Sequence, residues 1–252
     1  KADEAAFASA KQKREQVIKT LELINRFYRE KKPMLHEKPP ITPDALLALA
    51  AKEAQCDELC KTAQAIDIEL FELRAERTRI QSRKKAVRPY LSFDAPMRAL
   101  QTQSQKVRMR LGQLPAQAKS EVKRVVAAFE DVYAEELYTD TELASYFIIS
   151  SVKSDDAMMD ELGRLGFSAF DNEGSDRSPA EIYAEMERRQ KMTDHQEQSC
   201  KKRIDALVEQ RAFLSSMQDY YDTVIEREKA VFELANTSRT FSLNGYCKVQ
   251  DV

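Results

Sequence analysis

Apolar residues recur at steps of three and four positions over three long stretches, a spacing that places them on one side of an α-helix. The first stretch extends from about Ala2 to Lys31, and its apolar side is a narrow seam of the kind that pairs helices. The seam consists of Phe7, Ala10, Val17, Leu21, Ile24 and Tyr28. Pro33 follows, and because proline breaks a helix it predicts the end of this one.

A second helix is predicted from Thr42 to Pro89. Thr42 is a favourable N-cap, and Pro43 suits the first helical position. The apolar seam comprises Ala45, Leu49, Cys56, Leu59, Ala63, Ile66, Leu70, Leu73, Ile80 and Val87. A helix of this length measures ~70 Å at 1.5 Å per residue. Because a lone helix gains most of its stability from packing, it needs a partner helix.

The third helix is predicted to begin at the capping box Ser178–Glu181, with Pro179 first, and to continue to about Asn236. Its heptad seam is Cys200, Ile204, Leu207, Leu214, Tyr221, Ile225, Phe232 and Ala235. Between Glu187 and Ser199 the seam is polar apart from Met192, which predicts a solvated or loosely packed section.

Blocks of charge indicate how the helices pair. The end of the second helix is basic, through Arg74, Arg77, Arg79, Arg83, Lys84, Lys85 and Arg88, and the third begins with Glu181, Glu185 and Glu187. An antiparallel hairpin brings these blocks together. In the same way, Lys11, Lys13, Arg14 and Lys19 could face Asp219, Asp222, Glu226 and Glu228. The pattern leaves open whether the first helix lies beside the third or continues in line with the second.

Residues 106–172 have a different pattern, typical of alternating short strands and helices. Alternation at Val107–Leu111 predicts a strand that ends at Gly112 and Pro115, and 146–149 is an apolar run typical of a buried strand. Valines and Phe129 mark one face of a short helix, and a second helix follows Ser154 and ends at Gly166 as a left-handed cap. With strands near 132–138 and 167–170, the order is β-α-β-β-α-β, as in a ferredoxin-like lobe. Thr240–Lys248 predicts a further strand with a turn at 244–245.

Composition excludes several classes of protein. The 252 residues include only 5 glycines, too few for the turns of an all-β fold. Charged residues make up 33% but balance to a net charge of -2, so the basic run is interpreted as a helix-pairing surface rather than a nucleic-acid site. No apolar run approaches the ~20 residues that cross a bilayer, which predicts a soluble chain. Since the chain begins at Lys1 and has no signal peptide, we expect a piece of a longer protein.

No catalytic, cofactor or metal site is predicted. The sequence has neither a GxxxxGK[ST] phosphate loop nor GxGxxG, and its two histidines, His36 and His195, have no second ligand at a useful spacing. Cys56 and Cys60 share a helix face and could form a metal half-site or a redox pair. Two small residues on a packed stripe are the favoured interpretation, with reduced thiols in a cytosolic setting. We therefore expect no enzyme activity and no small-molecule substrate.

Four motifs, in this order, resemble a known family. Arg88–Phe93 is similar to an "L-x-P-W" helix end with Tyr90 in place of Trp, and Arg110–Pro115 to "x-G-x-[LI]-P". Leu162 to Phe167 resembles "L-x-x-x-G-F", and Thr240–Tyr246 resembles "T-x-F-x-L-x-G-W-V-P". The last match lacks the residue between Thr and Phe and has Tyr246, Cys247 and Lys248 in place of Trp, Val and Pro. Together the four motifs resemble the cytoplasmic N-terminal region of subunit I of V/A-type rotary ATPases, the counterpart of eukaryotic subunit a.

This resemblance implies a mostly α fold: a long antiparallel helical (coiled-coil) arm with a ferredoxin-like lobe at its tip. The implied division is outgoing helices in 1–100, a distal α/β lobe in 101–175, a returning helix in 176–238 and a strand of an incomplete proximal lobe in 239–252. The rest of that lobe would precede Lys1, and the membrane part that carries the ion channel would follow Val252.

The implied function is that of a non-catalytic stator at the cytoplasmic face of the membrane. It would link the ion channel to the peripheral stalks, heterodimers of subunits E and G, and resist rotor torque during ATP-coupled ion transport. The stalk contacts are expected on the lobe surface within 106–172, with no cofactor and no nucleic acid. The alternative is a structural coiled-coil scaffold or the dimerisation hinge of a chromosome-organising ATPase, which has the same coil–lobe–coil order.

Overall fold

A computed structural model describes residues 4–28, 42–101, 104, 106–171, 174–233, 235–236 and 241–242. The chain divides into two compact units, Lys1–Glu72 with Glu197–Val252 as the first and Leu73–Gln196 as the second. The helices are α1 (Glu4–Phe27), α2 (Pro43–Ala50), α3 (Glu53–Val87), α4 (Lys119–Ala127), α5 (Asp155–Arg164), α6 (Pro179–Val208) and α7 (Arg211–Glu233). The strands are β1 (Val107–Pro115), β2 (Val132–Thr139), β3 (Leu143–Ser151), β4 (Ser168–Ala169), β5 (Ala235–Asn236) and β6 (Phe241–Ser242).

The predicted second helix is interrupted near its beginning. Thr42 caps α2 as expected, its side chain accepting a hydrogen bond from the Ala45 amide at 3.3 Å. The helix ends at Ala50, however, and Lys52 N donates to Leu49 O at 2.9 Å, a tightened turn before α3 begins. No glycine or proline marks this turn, so the sequence carries no signal for it. The helix α3 ends at Val87, before Pro89, as predicted.

The predicted third helix is also two helices, α6 and α7. Gln210 N donates to Leu207 O at 3.0 Å, which closes α6 with a tight turn, again without glycine or proline. The helix α7 ends at Glu233, so residues 235 and 236, predicted at the helix end, form β5 and pair with β6. Phe241 and Ser242 are strand residues as expected, whereas Thr240 and 243–248 lie outside the described residues, as do 29–31 of the first predicted helix.

In the first unit, α1 lies alongside both α3 and α7. Lys13 Nζ is 2.5 Å from Glu53 Oε2 and Arg26 Nη2 is 2.8 Å from Asp67 Oδ1, so α1 and α3 are parallel. Arg14 pairs with Asp222, in the middle of α7. The first helix therefore lies beside the third predicted helix, the arrangement that the pattern had left open.

The predicted seams form the core of this three-helix unit. The fully buried seam residues include Ala10, Val17, Ile24, Cys56, Ala63, Ile66, Cys200, Ile204, Leu207, Leu214 and Tyr221. Phe7 and Leu21 are only half-buried, and Tyr28 is exposed, with its hydroxyl donating to Asp205. The buried side of α1 is therefore shifted from the predicted seam, with Thr20 and Leu23 buried in place of Leu21 and Tyr28.

The predicted charge pairing holds only in part. Arg14–Asp222 forms as predicted, but Lys13 binds Glu53 on α3 and Lys19 binds Glu15 on its own helix. These departures have a simple cause: both lysines have a carboxylate within closer reach than those of α7.

The second unit pairs α3 with α6 in antiparallel directions. Lys84 Nζ lies 3.5 Å from Glu187 Oε1, as predicted, and Arg77 Nη2 lies 3.3 Å from Asp194 Oδ1. Glu181 and Glu185 instead make contacts close to their own helix: Glu181 completes the capping box with Ser178, and Glu185 binds Arg177 and Arg189.

The polar section of α6 is better packed than predicted. Its Thr193 is buried at 4% exposure, while Met192, the apolar residue of the section, is 65% exposed. Lys84 also donates to Gln190 Oε1 at 3.1 Å and lies over the Tyr183 ring. Polar contacts therefore continue the packing of α3 against α6 in the section of α6 that has no buried apolar residues.

A four-stranded sheet occupies the rest of the second unit. Its order is β2-β3-β1-β4, and every neighbouring pair is antiparallel. The helix α4 connects β1 to β2, and α5 connects β3 to β4. The strand β1 passes through Gly112 and ends at Pro115, and it pairs with β3 along its whole length.

Each face of the sheet has its own core. Beneath α4 and α5 the buried residues are Leu114, Val122, Ala144, Tyr146, Ile148, Met158 and Leu162. On the opposite face they are Val87, Tyr90, Phe93, Met97, Leu111 and Ile182. Tyr90 and Phe170 have ring centroids 4.8 Å apart, and those of Phe93 and Phe147 are 5.0 Å apart. The ends of α3 and α6 are thereby attached to the sheet.

Candidate interaction surface

Two of the sequence motifs meet at one end of the sheet. A Cβ on Gly112 would lie 2.1 Å from the Phe167 ring and 2.7 Å from Ser168 O, so only glycine allows β4 to approach β1 here. Gly166 has a φ of +84°, the left-handed cap that was predicted, and Phe167 N donates to Leu162 O at 3.0 Å. The "x-G-x-[LI]-P" and "L-x-x-x-G-F" segments therefore form one packed corner.

A buried ion pair positions the start of α5 against β1. Asp155 is 4% exposed; it accepts hydrogen bonds from the Arg110 guanidinium and, at 2.7 Å, from Ser150 Oγ. The carboxylate thus joins three elements, β1, β3 and α5. Because a buried charge is costly without partners, this arrangement holds the helix to the sheet rather than offering a free catalytic group.

The sheet face opposite α4 and α5 is only partly covered. Met109, Ile149 and Tyr133 are directly paired neighbours across β1, β3 and β2, and Val107 is two residues before Met109 on the same face. Tyr133 is 55% exposed and Val107 is 38% exposed, while Met109 and Ile149 are half-buried. These four residues are called the open strip below.

The open strip lies beside an acidic edge strand. Residues 130–142, which include edge strand β2, contain Glu130, Asp131, Glu135, Glu136, Asp140 and Glu142 and no lysine or arginine. Hydrogen bonds from Ser151 and Ser154 lower the pKa of Asp131, so this carboxylate is ionised at neutral pH. Glu135 lies on the face of the open strip, where it accepts a hydrogen bond from the Tyr133 hydroxyl at 3.4 Å, whereas Glu136 pairs with Lys119 of α4 on the other face. The surface combines apolar and anionic groups, which suits binding to a protein with the opposite charge.

The sequence placed the contact surface within 106–172 without naming residues in it. Alternation at Val107, Met109 and Leu111 already puts these three on one face. It does not reveal that Tyr90, Phe93 and Met97 cover only the Leu111 end, because those residues belong to another segment. Among the described residues there is no cluster of three or more side chains suited to a metal ion.

No protein-family model matches the sequence, and no curated protein matches it. A solved structure does: the cytoplasmic N-terminal domain of subunit I, homologue of subunit a, of V-ATPase. The match covers 90% of this chain and 73% of that one, with a TM-score of 0.57 and 16% identity. The chain has the fold of that domain. The resemblance seen in the four motifs is confirmed at the level of the fold, as a mostly helical chain with a small antiparallel sheet.

The described helices were also compared with the requirements of a membrane span. None of them combines the length and the apolar character that crossing a bilayer demands.

Proposed function

We propose that this chain is a non-catalytic stator component of a V/A-type rotary ATPase. It would link the membrane ion channel to the peripheral stalks and resist rotor torque during ATP-coupled ion transport. The observation that carries the proposal is the fold likeness to the V-ATPase subunit I domain over 90% of the chain. The proposed partners are the E–G stalk heterodimers, and the proposed location is the cytoplasmic face of the membrane.

Resistance to mechanical torque suits the helices of both units. In the first unit Arg203 pairs with Glu69 at 2.5 Å, and in the second Arg77 and Lys84 pair with acids of α6. Antiparallel pairs with regular apolar seams are stiff, since bending them would disrupt packing along the whole seam. We propose that these pairs form the coiled-coil arm, and that 101–175 and 239–252 belong to separate lobes.

The sheet of the second unit supports the proposal of a ferredoxin-like lobe. Two helices connect β1 to β2 and β3 to β4, and the order β2-β3-β1-β4 places β1 and β3 in the centre. This is the arrangement that a split β-α-β repeat produces. Such a lobe offers a rigid surface for a stationary contact.

We propose the open strip and its acidic edge as the stalk contact. The strip offers exposed apolar area in Tyr133 and Val107, and the carboxylates of 130–142 would select a partner surface carrying lysine or arginine. Buried apolar contacts at the centre would contribute most of the affinity, with the charged rim governing association rate and salt dependence.

The test is calorimetric titration of the chain with the purified E–G heterodimer. We expect saturable one-to-one binding that weakens at least about tenfold in the double variant Val107→Glu, Tyr133→Glu, because two charges would have to be desolvated. Leu143→Glu is the matched control, since Leu143 is 38% exposed and lies at the other end of β3.

Each outcome of the titration bears on a separate part of the proposal. Binding that the double variant leaves unchanged would move the contact away from the open strip and keep the stator role. Absence of binding by the parent chain contradicts the stator role. A stable dimer formed through the lobe would favour a dimerisation hinge instead.

A further inference from the structure

The two thiols four residues apart on α3 face the interior of the first unit. Cys56 is 1% exposed and Cys60 is 6% exposed, so both lie on the packed stripe that the sequence favoured. They are hydrogen-bonded to each other, and the Thr20 hydroxyl of α1 is a second hydrogen-bonding neighbour of Cys60. The pair therefore makes polar contacts in addition to its apolar packing on the stripe.

Cys60 also lines a cavity, and Cys56 does not. The cavity has a volume of about 340 Å³ and lies between α1 and α3. Gln12, Gln16 and Lys19 line it from α1, and Gln64 and Asp67 line it from α3. A volume of this size accepts a small molecule, and a lining of amides together with the charged groups of Glu15, Lys19 and Asp67 suits a polar one.

The surroundings of the pair favour the thiolate on Cys60. The hydrogen bond from Cys56 lowers the pKa of the Cys60 thiol, against the opposing effect of burial. The same pairing raises the pKa of Cys56. Further charged or titratable groups face the pair: Asp57 on α3, Lys13 on α1 and Tyr221 on α7. Of the two thiols, the one beside the cavity is thus the more readily ionised.

We propose that Cys60 is a modification site for small disulfides, with Cys56 as the neighbour that positions its reactive form. The Cys60 thiolate attacks one sulfur of a disulfide R–S–S–R, a new Cys60–S–S–R bond forms, and the old sulfur–sulfur bond breaks. The leaving thiolate RS⁻ departs with the electron pair and takes a proton from water. Cys56 keeps its proton and donates to Cys60 before the attack. The stable product is the mixed disulfide, held in the cavity.

The probe is bis(2-hydroxyethyl) disulfide, a small neutral disulfide, applied to the whole chain at pH 7. Cys247→Ser serves as the background, because Cys247 lies outside the described residues. Peptide mapping by mass spectrometry then compares three thiols within one folded molecule. We expect Cys60 to gain the adduct at least about tenfold faster than Cys56 and Cys200, which are 1% and 0% exposed, and all three to react alike in denaturant.

Two variants test the role of Cys56. Cys56→Ala removes the donor, so the pKa of Cys60 should rise towards the ordinary thiol value. The thiolate fraction of Cys60 at pH 7 then falls. Because this loss outweighs the accompanying gain in intrinsic nucleophilicity, the adduct should form more slowly than in the parent chain. Cys56→Ser is the matched control: it keeps a hydroxyl donor at the same position and should react near the parent rate.

Three results would overturn the proposal. One is Cys60 reacting no faster than Cys200 in the folded chain. Another is a final product with a Cys56–Cys60 disulfide in place of the adduct. The third is a Cys56→Ala variant that reacts as fast as Cys56→Ser, which would remove Cys56 from the mechanism.

Discussion

Gly112 illustrates how a single residue determines the spacing of two strands. Its missing side chain leaves room for the Phe167 ring, which packs against the sheet core beneath α4 and α5. Any Cβ at this position must displace either that ring or the backbone of β4. Glycine is therefore required at this position because β4 and the Phe167 ring approach β1 closely, and not because of its backbone conformation.

Gly112→Ala should destabilise the chain by about 1–3 kcal/mol, since the added methyl group overpacks this contact. Gly163→Ala is the control, because a Cβ at Gly163 on α5 meets nothing within 4 Å. It should leave stability unchanged or raise it by up to about 1 kcal/mol, as alanine favours a helix. Urea unfolding followed by circular dichroism measures both. Equal stabilities of the two variants would contradict this account of β1 and β4.

At the scale of elements, the ends of the helices follow local chemistry and their interruptions do not. Thr42 and Ser178 cap α2 and α6 with the hydrogen bonds that their types predict. The turns at 51–52 and 209–210 occur among ordinary helix formers. The positions of these two turns therefore depend on how the long helices pack, and the residue types at the turns do not predict them.

Ser178→Ala should cost about 1 kcal/mol, because it removes one half of the capping box at the start of α6. Ser199→Ala, at an exposed position within α6, is the control and should be neutral or slightly stabilising. The midpoint of urea unfolding reports both changes. An equal loss of stability in Ser199→Ala and Ser178→Ala would show that the loss of the cap is not the cause.

The ion pair between α1 and α3 makes stability depend on pH. Burial alone would raise the pKa of Glu53, but hydrogen bonds from Lys13 and Tyr220 outweigh it, and the net pKa lies below the ordinary value of 4.5. A carboxylate of this kind stabilises the folded state above its unfolded pKa, and this stabilisation disappears as the pH falls through the folded pKa. The stabilisation of the folded state by Glu53 should therefore be lost below about pH 4.5.

Glu53→Gln should accordingly reduce the difference in urea midpoint between about pH 7 and about pH 3.5, since glutamine does not titrate. Glu58→Gln, at an exposed position on the same helix, should keep the pH dependence of the parent chain. An unchanged pH dependence in Glu53→Gln would mean that the contact with Lys13 does not stabilise the folded state.

In the molecule as a whole, the four-stranded sheet is part of the core of the second unit rather than an appendage to it. Leu111, Phe147 and Phe170 of this sheet region pack against residues from the ends of α3 and α6 and from the segment between α3 and β1. Removing the sheet would therefore expose a large apolar surface. A deletion is consequently a less clean test of partner binding than surface variants of the open strip.

Deletion of 106–172 with a short linker should cause self-association, because Val87, Tyr90, Phe93, Met97 and Ile182 lose their cover. Size-exclusion chromatography with light scattering measures the mass of the deleted chain. The same deletion with Tyr90→Gln and Phe93→Gln should associate less, since two aromatic rings are gone. A monomeric deletion chain without these substitutions would contradict the role of this core.

Features that depend on neighbouring residues along the chain could be predicted from the amino-acid sequence alone. These include the three helical stretches, their caps, the seams and the order of strands and helices in 106–172, because periodicity and capping act over a few residues. The left-handed cap at Gly166 belongs to the same group. The four ordered motifs were also sufficient to indicate the fold that the solved structure shares.

Contacts between residues far apart in sequence became evident only from the folded chain. The position of α1 beside α7, the partners of Lys13 and Lys19, and the cavity at Cys60 all depend on side chains far apart in sequence. The same holds for the open strip, because several segments of the chain together cover one end of the sheet face and leave the other end exposed. Local patterns show which side of an element is apolar, and packing then selects what covers it.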